Sequence, residues 1–194
     1  MATFDPFPEG TPAAEILKEI LGHGQPSLGP AVSRPGGWRS RIDGLTDAEL
    51  LGAGAVSDAR AAAAVRAGLL LVGDDFEASH SLSQSIETPE GSYWHGILHR
   101  REPDYGNAKY WFRRVGDHPV FRDLEREAVL RGGAALDLLS GRRWDPFRVV
   151  DLIERCETGG PGPAAPELRH ALLDFQELEM LLLLAQGYRQ SAAR

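Results

Sequence analysis

Apolar residues in this chain recur at steps of three and four, the period of an amphipathic helix, and hardly anywhere alternate as a strand would. Thr11-Pro12 is an N-cap and first-turn pair, and it predicts a helix to about Leu21 with Ile16, Leu17, Ile20 and Leu21 on its apolar face. Thr46 and Glu49 have the spacing of a capping box and predict a short helix. Ser57 is the expected cap of a long helix reaching about Ile86, striped by Val65, Leu69, Val72, Phe76 and Ile86 with Ser79 and Ser83. Gly68 and Gly73 fall inside it. Each costs a helix interior about 1 kcal/mol relative to Ala, which implies a close helix neighbour as compensation.

Thr88-Pro89 opens the next helix, which must stop near Glu102 because Pro103 follows. Asp104 starts another that ends at Gly116, and Pro119 to Arg131 is closed by Gly132-Gly133. A short helix is expected over Ala134 to Leu139, and Asp145-Pro146 opens one to about Glu157. Pro166 to Tyr188 is a strongly apolar final helix. The pattern predicts an all-α helical bundle forming a single domain over residues 1–194. Two irregular stretches interrupt it: a long Gly/Pro-rich N-terminal loop from Gly22 to Gly44, pinned to the core by Trp38, and a flexible connection from Gly159 to Pro166.

Composition narrows the function classes. The net charge of -7 argues against a general grip on nucleic acid, which needs a basic face. The N-terminal MATFDPFPEG has neither a basic nor an apolar leader region. The longest apolar run, Met180 to Ala185, is far short of the roughly 20 residues of a membrane span. A single cysteine, Cys156, excludes a disulfide framework within the chain. Together these point to a cytoplasmic protein that uses neither nucleic acid nor membrane. The apolar last helix offers a face for a homodimer.

Chemistry concentrates between Glu77 and Arg114, where three of the six histidines, two of the four tryptophans and three of the four tyrosines lie. His95, His99 and Glu102 stand at i, i+4 and i+7, on one helix face. A turn near Glu87-Thr88 puts His80 and His95 each roughly 11 Å from it at 1.5 Å per residue. An antiparallel hairpin would therefore bring the two level, with Glu77 level with His99. Neutral imidazoles in this pattern suit one divalent metal (Zn, Fe, Ni or Mn), with His80, His95 and His99 as ligands. Glu77 or Glu102 would act as ligand or general base. Metal-activated hydrolysis and Fe(II) oxygen chemistry both remain open. So do a satisfied structural cluster and a metal-free polar pocket. His170, Asp174 and Glu177, at i, i+4 and i+7 on the last helix, offer a further ligand.

Arg100, Arg101, Lys109, Arg113 and Arg114 lie close in sequence among Tyr105, Tyr110, Trp111 and Phe112. Arginine forks and an aromatic ring suit a small anionic molecule. Arg100, Arg101, Tyr93 and Lys109 are the candidate ligand-binding residues, with Arg101 set apart on the Trp94 and Leu98 side of its helix. The alternative to a metal site is a non-enzymatic binding module, an Arg/aromatic helical hairpin for an anionic ligand or a protein partner. A third reading pairs these cations with nearby acids and buries Trp111 in the core. Asn107 reads as a capping or turn residue. No phosphate-binding loop, dinucleotide fingerprint or nucleophile elbow occurs, so no nucleotide cofactor is expected.

DYGNAKYWFRRVG, Asp104 to Gly116, resembles the second helix of a Sel1/TPR-type repeat, but it occurs once, which is too little for a solenoid. The longer SYWHGILHRREPDYGNAKYWFRRVGDHP, Ser92 to Pro119, resembles a block found in a family of uncharacterised bacterial and fungal proteins. That resemblance implies a shared fold and carries no activity.

Overall fold

The break in the longest expected helix organises the molecule. In the computed structural model, which describes residues 4–140, 143–159 and 166–192, the stretch from Ser57 to Ile86 is two helices. They are α4 (Ala59–Val72) and α5 (Phe76–Ser83). Before them come α1 (Pro12–Leu21), α2 (Trp38–Gly44) and α3 (Asp47–Leu51), and after them α6 (Pro89–Arg101) and α7 (Tyr105–Val115). The chain continues with α8 (Pro119–Arg131), a 3-10 helix (Gly133–Leu138) and the two-residue strands β1 (Leu139–Ser140) and β2 (Arg143–Trp144), which pair antiparallel. It ends in α9 (Pro146–Thr158) and α10 (Pro166–Ser191). The architecture is all-α with one small β-ribbon among the described residues. No helix of the described residues is long and apolar enough to cross a membrane.

Local chemistry explains the break. Asp74 adopts φ +63°, in the left-handed region, and the Asp75 side chain accepts the Ala78 N–H to cap α5. Asp74 is fixed there by Arg34 at 2.8 Å and by Arg101. A two-carboxylate turn stabilised by distant arginines is invisible to a periodicity argument, which runs through it. Asp58, not Ser57, caps α4. The predicted caps Thr11, Thr46, Thr88, Asp104 and Asp145 all accept backbone N–H groups at their helix starts. The Gly22–Gly44 segment is not one loop, because its last seven residues form α2. Trp38 is fully buried there and donates its indole N–H to the Arg34 carbonyl. The short helix expected over Ala134 to Leu139 is a 3-10 turn feeding the β-ribbon. Residues 160–165 of the expected Gly159–Pro166 connection lie outside the described residues.

Helix α6 runs through the middle of the molecule. Every residue from Gly91 to Arg101 is buried, against α4, α5 and α7. Such a helix must supply a partner for each polar side chain. Arg100, with no exposed surface, donates to Glu179 of α10 at 2.6 Å, and the Tyr93 hydroxyl donates to the same carboxylate at 2.9 Å. Arg101, equally buried, donates to Asp74, to the Leu71 carbonyl and to the Ser27 carbonyl. Helix α4 approaches α6 and α10 at Gly68, where a Cβ would run into the Trp94 ring and meet Leu184.

Gly68→Ala is expected to destabilise the protein by about 1–3 kcal/mol through overpacking, opposite in sign to the helix-propensity gain. Urea unfolding measures it. Glu179→Ala strands a buried guanidinium and is expected to lose about 3–5 kcal/mol by the same assay.

Candidate metal centre

The hairpin of α5 and α6 brings the three predicted histidines together. The His80 and His95 ring centroids are 4.6 Å apart, His95 and His99 4.7 Å, and His80 and His99 5.3 Å. One ring nitrogen from each lies within 4.8 Å of the others, which makes the trio a potential metal-holding group among the described residues. Nitrogens around a tetrahedral ion at about 2.0–2.1 Å stand roughly 3.4 Å apart, so small side-chain rotations would close the group onto an ion. His95 and His99 are buried, and His80 is half-buried at the mouth.

Neighbours fix the rings. The Ser83 hydroxyl, one turn past His80 on α5, lies 2.9 Å from His95 Nδ1. That hydroxyl also donates to the His80 carbonyl, so it is arranged to accept Nδ1–H and leave His95 Nε2 bare. Asn107 of α7 lies 3.0 Å from His99 Nε2. His99 Nδ1 is buried with no hydrogen-bond partner among the described residues. Glu102 Oε2 is 3.4 Å from that atom and Asp104 Oδ2 4.0 Å. Trp111 packs on the outer side of His95, with centroids 4.1 Å apart, and Arg114 lies over the Trp111 ring.

Burial, reinforced by the repulsion of His99 and His80, pushes His95 down to about 3. Burial and His80 push His99 in the same direction against the pull of Asp104. These two imidazoles are therefore neutral at pH 7, the form that binds metal. Burial raises the Glu102 carboxyl, with His80 opposing and Asp104 adding to the rise.

No family model matches the chain, and no curated protein or solved structure matches it. What the centre can do therefore rests on its own geometry.

Several expected site residues stand elsewhere. Arg100 and Arg101 are not ligand-facing: both are consumed by interior ion pairs with Glu179 and Asp74. Tyr93 is buried against Glu179. Lys109 reaches Asp151 of α9 at the surface. Glu77 is exposed and outside the imidazole group, since three residues before His80 it is turned about 60° around the helix. His170 is exposed, and Asp174 is engaged by Gln25 and Arg131, so α10 supplies no ligand to the trio. Asn107 does more than start α7: its N–H is capped by Asp104 while its side chain meets His99. Ser83 carried no chemical signal beyond its place on a helix stripe.

Asp117-His118-Pro119 has the pattern of a helix start with Asp or His at the cap, but the pairing of His118 with Glu90 had no sequence signal. His118 caps α8, is nearly fully buried, and places Nε2 3.7 Å from Glu90 Oε1 at the start of α6. His118 first, and the Gln190 amide after it, hold the Glu90 carboxyl down to about 2 against burial. A carboxyl lowered on folding stabilises the fold above its unfolded value and loses that contribution as pH falls to its folded value. Stability is thus expected to drain between about pH 4.5 and pH 2, and Glu90→Gln should flatten the unfolding free energy across that window, as read by denaturant titration at each pH.

Proposed function

We propose that His80, His95 and His99 hold one divalent first-row metal ion and that the protein is a metal-dependent hydrolase acting on small anionic molecules. The observation that carries the reading is the convergence of three ring nitrogens within 4.8 Å, two of them on neutral, buried imidazoles backed by Ser83 and Asn107. Three protein ligands leave a coordination position open, the layout of catalytic rather than structural zinc sites. Bound there, the ion would supply Lewis acidity toward water or substrate. Glu102, beside the trio and with a carboxyl raised by burial, is placed to accept a proton. Three converging imidazoles favour this over the two-histidine, one-carboxylate arrangement of iron oxygenases.

The rim supports the substrate class. Arg114 on Trp111, which packs on His95, sets a cation and an aromatic face beside the centre. The alternative of a purely binding hairpin has lost Arg100 and Arg101, its central cations, to the interior.

Elemental analysis of the purified protein after exposure to Zn, Fe, Ni or Mn is the deciding measurement. Near-stoichiometric metal in the wild type and none in His95→Ala/His99→Ala is expected. The milder His80→Ala, at the half-buried mouth, should weaken uptake with the circular dichroism spectrum unchanged. A folded wild type that takes up none of the four metals would overturn the proposal.

A further inference from the structure

His99 has only one nitrogen free to meet a cation. Its Nε2 is occupied by the Asn107 amide at 3.0 Å. Its Nδ1 is buried, unpartnered among the described residues, and faces the Glu102 and Asp104 carboxylates at 3.4 and 4.0 Å. His95 has the reverse arrangement, with Nδ1 taken by Ser83 at 2.9 Å. We infer that the centre is of mixed ligation, with His99 bound through Nδ1 and His95 through Nε2, and that Asn107 and Ser83 are the positioning residues that impose this. The inference rests on the metal reading of the trio.

In the structure the Asn107 Nδ2 group faces Nε2, so Nε2 accepts and the ring proton sits on Nδ1, which makes no hydrogen bond among the described residues although Glu102 Oε2 stands 3.4 Å away. Turning the amide over places Oδ1 against Nε2–H and leaves Nδ1 as a bare lone pair. A bare lone pair with two carboxylates 3.4 and 4.0 Å away is unfavourable unless a cation lies beside it. Metal loading therefore selects the turned amide, moves the single ring proton from Nδ1 to Nε2 with no net release, and makes Asn107 an acceptor that raises the basicity of the ligating ring. Ser83 needs no such change, since it already accepts from His95 Nδ1 while donating to the His80 carbonyl.

The test uses the full chain loaded with Zn and labelled with 15N-histidine. Long-range 1H–15N correlation spectra report which nitrogen of each ring carries a proton and which carries metal. His99 is expected as Nε2–H with metal on Nδ1, and His95 as Nδ1–H with metal on Nε2. Asn107→Leu, which removes the acceptor, should weaken Zn binding by about 10–100-fold, the usual effect of losing such a partner. Asn107→Asp, which keeps an acceptor, should bind Zn at least as tightly as the wild type, and weak binding by a folded Asn107→Leu of similar bulk, beside tight binding by Asn107→Asp, separates an acceptor role from packing. Zn on His99 Nε2 in the wild type would overturn the inference while leaving the metal site standing. So would unchanged affinity in a folded Asn107→Leu. A wild type that takes up no Zn overturns both, and an unfolded Asn107→Leu leaves the wild-type spectra and Asn107→Asp to decide.

Discussion

A helix buried on all sides is the constraint from which the rest of this structure follows. From Gly91 to Arg101, α6 has no solvent face, yet it carries Ser92, Tyr93, His95, His99, Arg100 and Arg101. Leaving a polar group unpaired in such a place costs about 1–3 kcal/mol, and more for a charge. The elements around α6 are accordingly built to meet its side chains. Glu179 reaches in from α10 for Arg100 and Tyr93. The left-handed Asp74 turn that splits α4 from α5 presents its carboxylate to Arg101. The helix break, the long final helix and the Gly68 crossing are thus parts of one solution. Arg100 is met incompletely, since Nε and Nη1 have no partner among the described residues and the guanidinium lies 5.8 Å from the Phe112 ring.

The partners given to the histidines differ in kind. The two arginines meet carboxylates, which neutralise them. His95 and His99 meet a hydroxyl and an amide, which orient a ring and leave its charge state alone. Each imidazole is held by one nitrogen only. With burial keeping both rings neutral, this face of α6 presents two imidazoles whose second nitrogens, His95 Nε2 and His99 Nδ1, make no hydrogen bond among the described residues.

Much of this was legible in the chain. Caps and apolar stripes define most helices, and the i, i+4 spacing with a turn near Thr88 is enough to bring His80 to His95, because hairpin geometry follows from rise per residue. What was not legible shares one cause. Asp74, Glu179 and Asn107 act on residues far away in sequence or on another helix, so nothing in their own neighbourhood marks them. The same blindness made Arg100 and Arg101 look like ligands. A run of cations normally reads as a solvated or binding face, and only tertiary burial turns it into interior ion pairs. Glu77 failed for a smaller reason: level along the helix is not the same as the same azimuth around it.

The separation of roles around α6 also decides how loss of function should be read in this protein. Successive residues on a helix are turned by about 100°, so His99, Arg100 and Arg101 point in three directions although they are adjacent. His99 points to α5 and α7, Arg100 to α10, and Arg101 to the turn between α4 and α5. The first direction holds the candidate chemistry, and the other two hold the fold. Substitution of Arg100 would strand the buried Glu179 carboxylate, and substitution of Arg101 would leave Asp74 to Arg34 alone and free the Leu71 and Ser27 carbonyls, so both act through stability, whatever they do to activity. A change at Asn107 or Ser83 removes a neutral hydrogen bond worth only about 0.5–1.5 kcal/mol, so a large loss of metal there would not be explained by unfolding. The chemical identity of a residue's partner, more than its distance from the imidazoles, is therefore what separates the site from its scaffold.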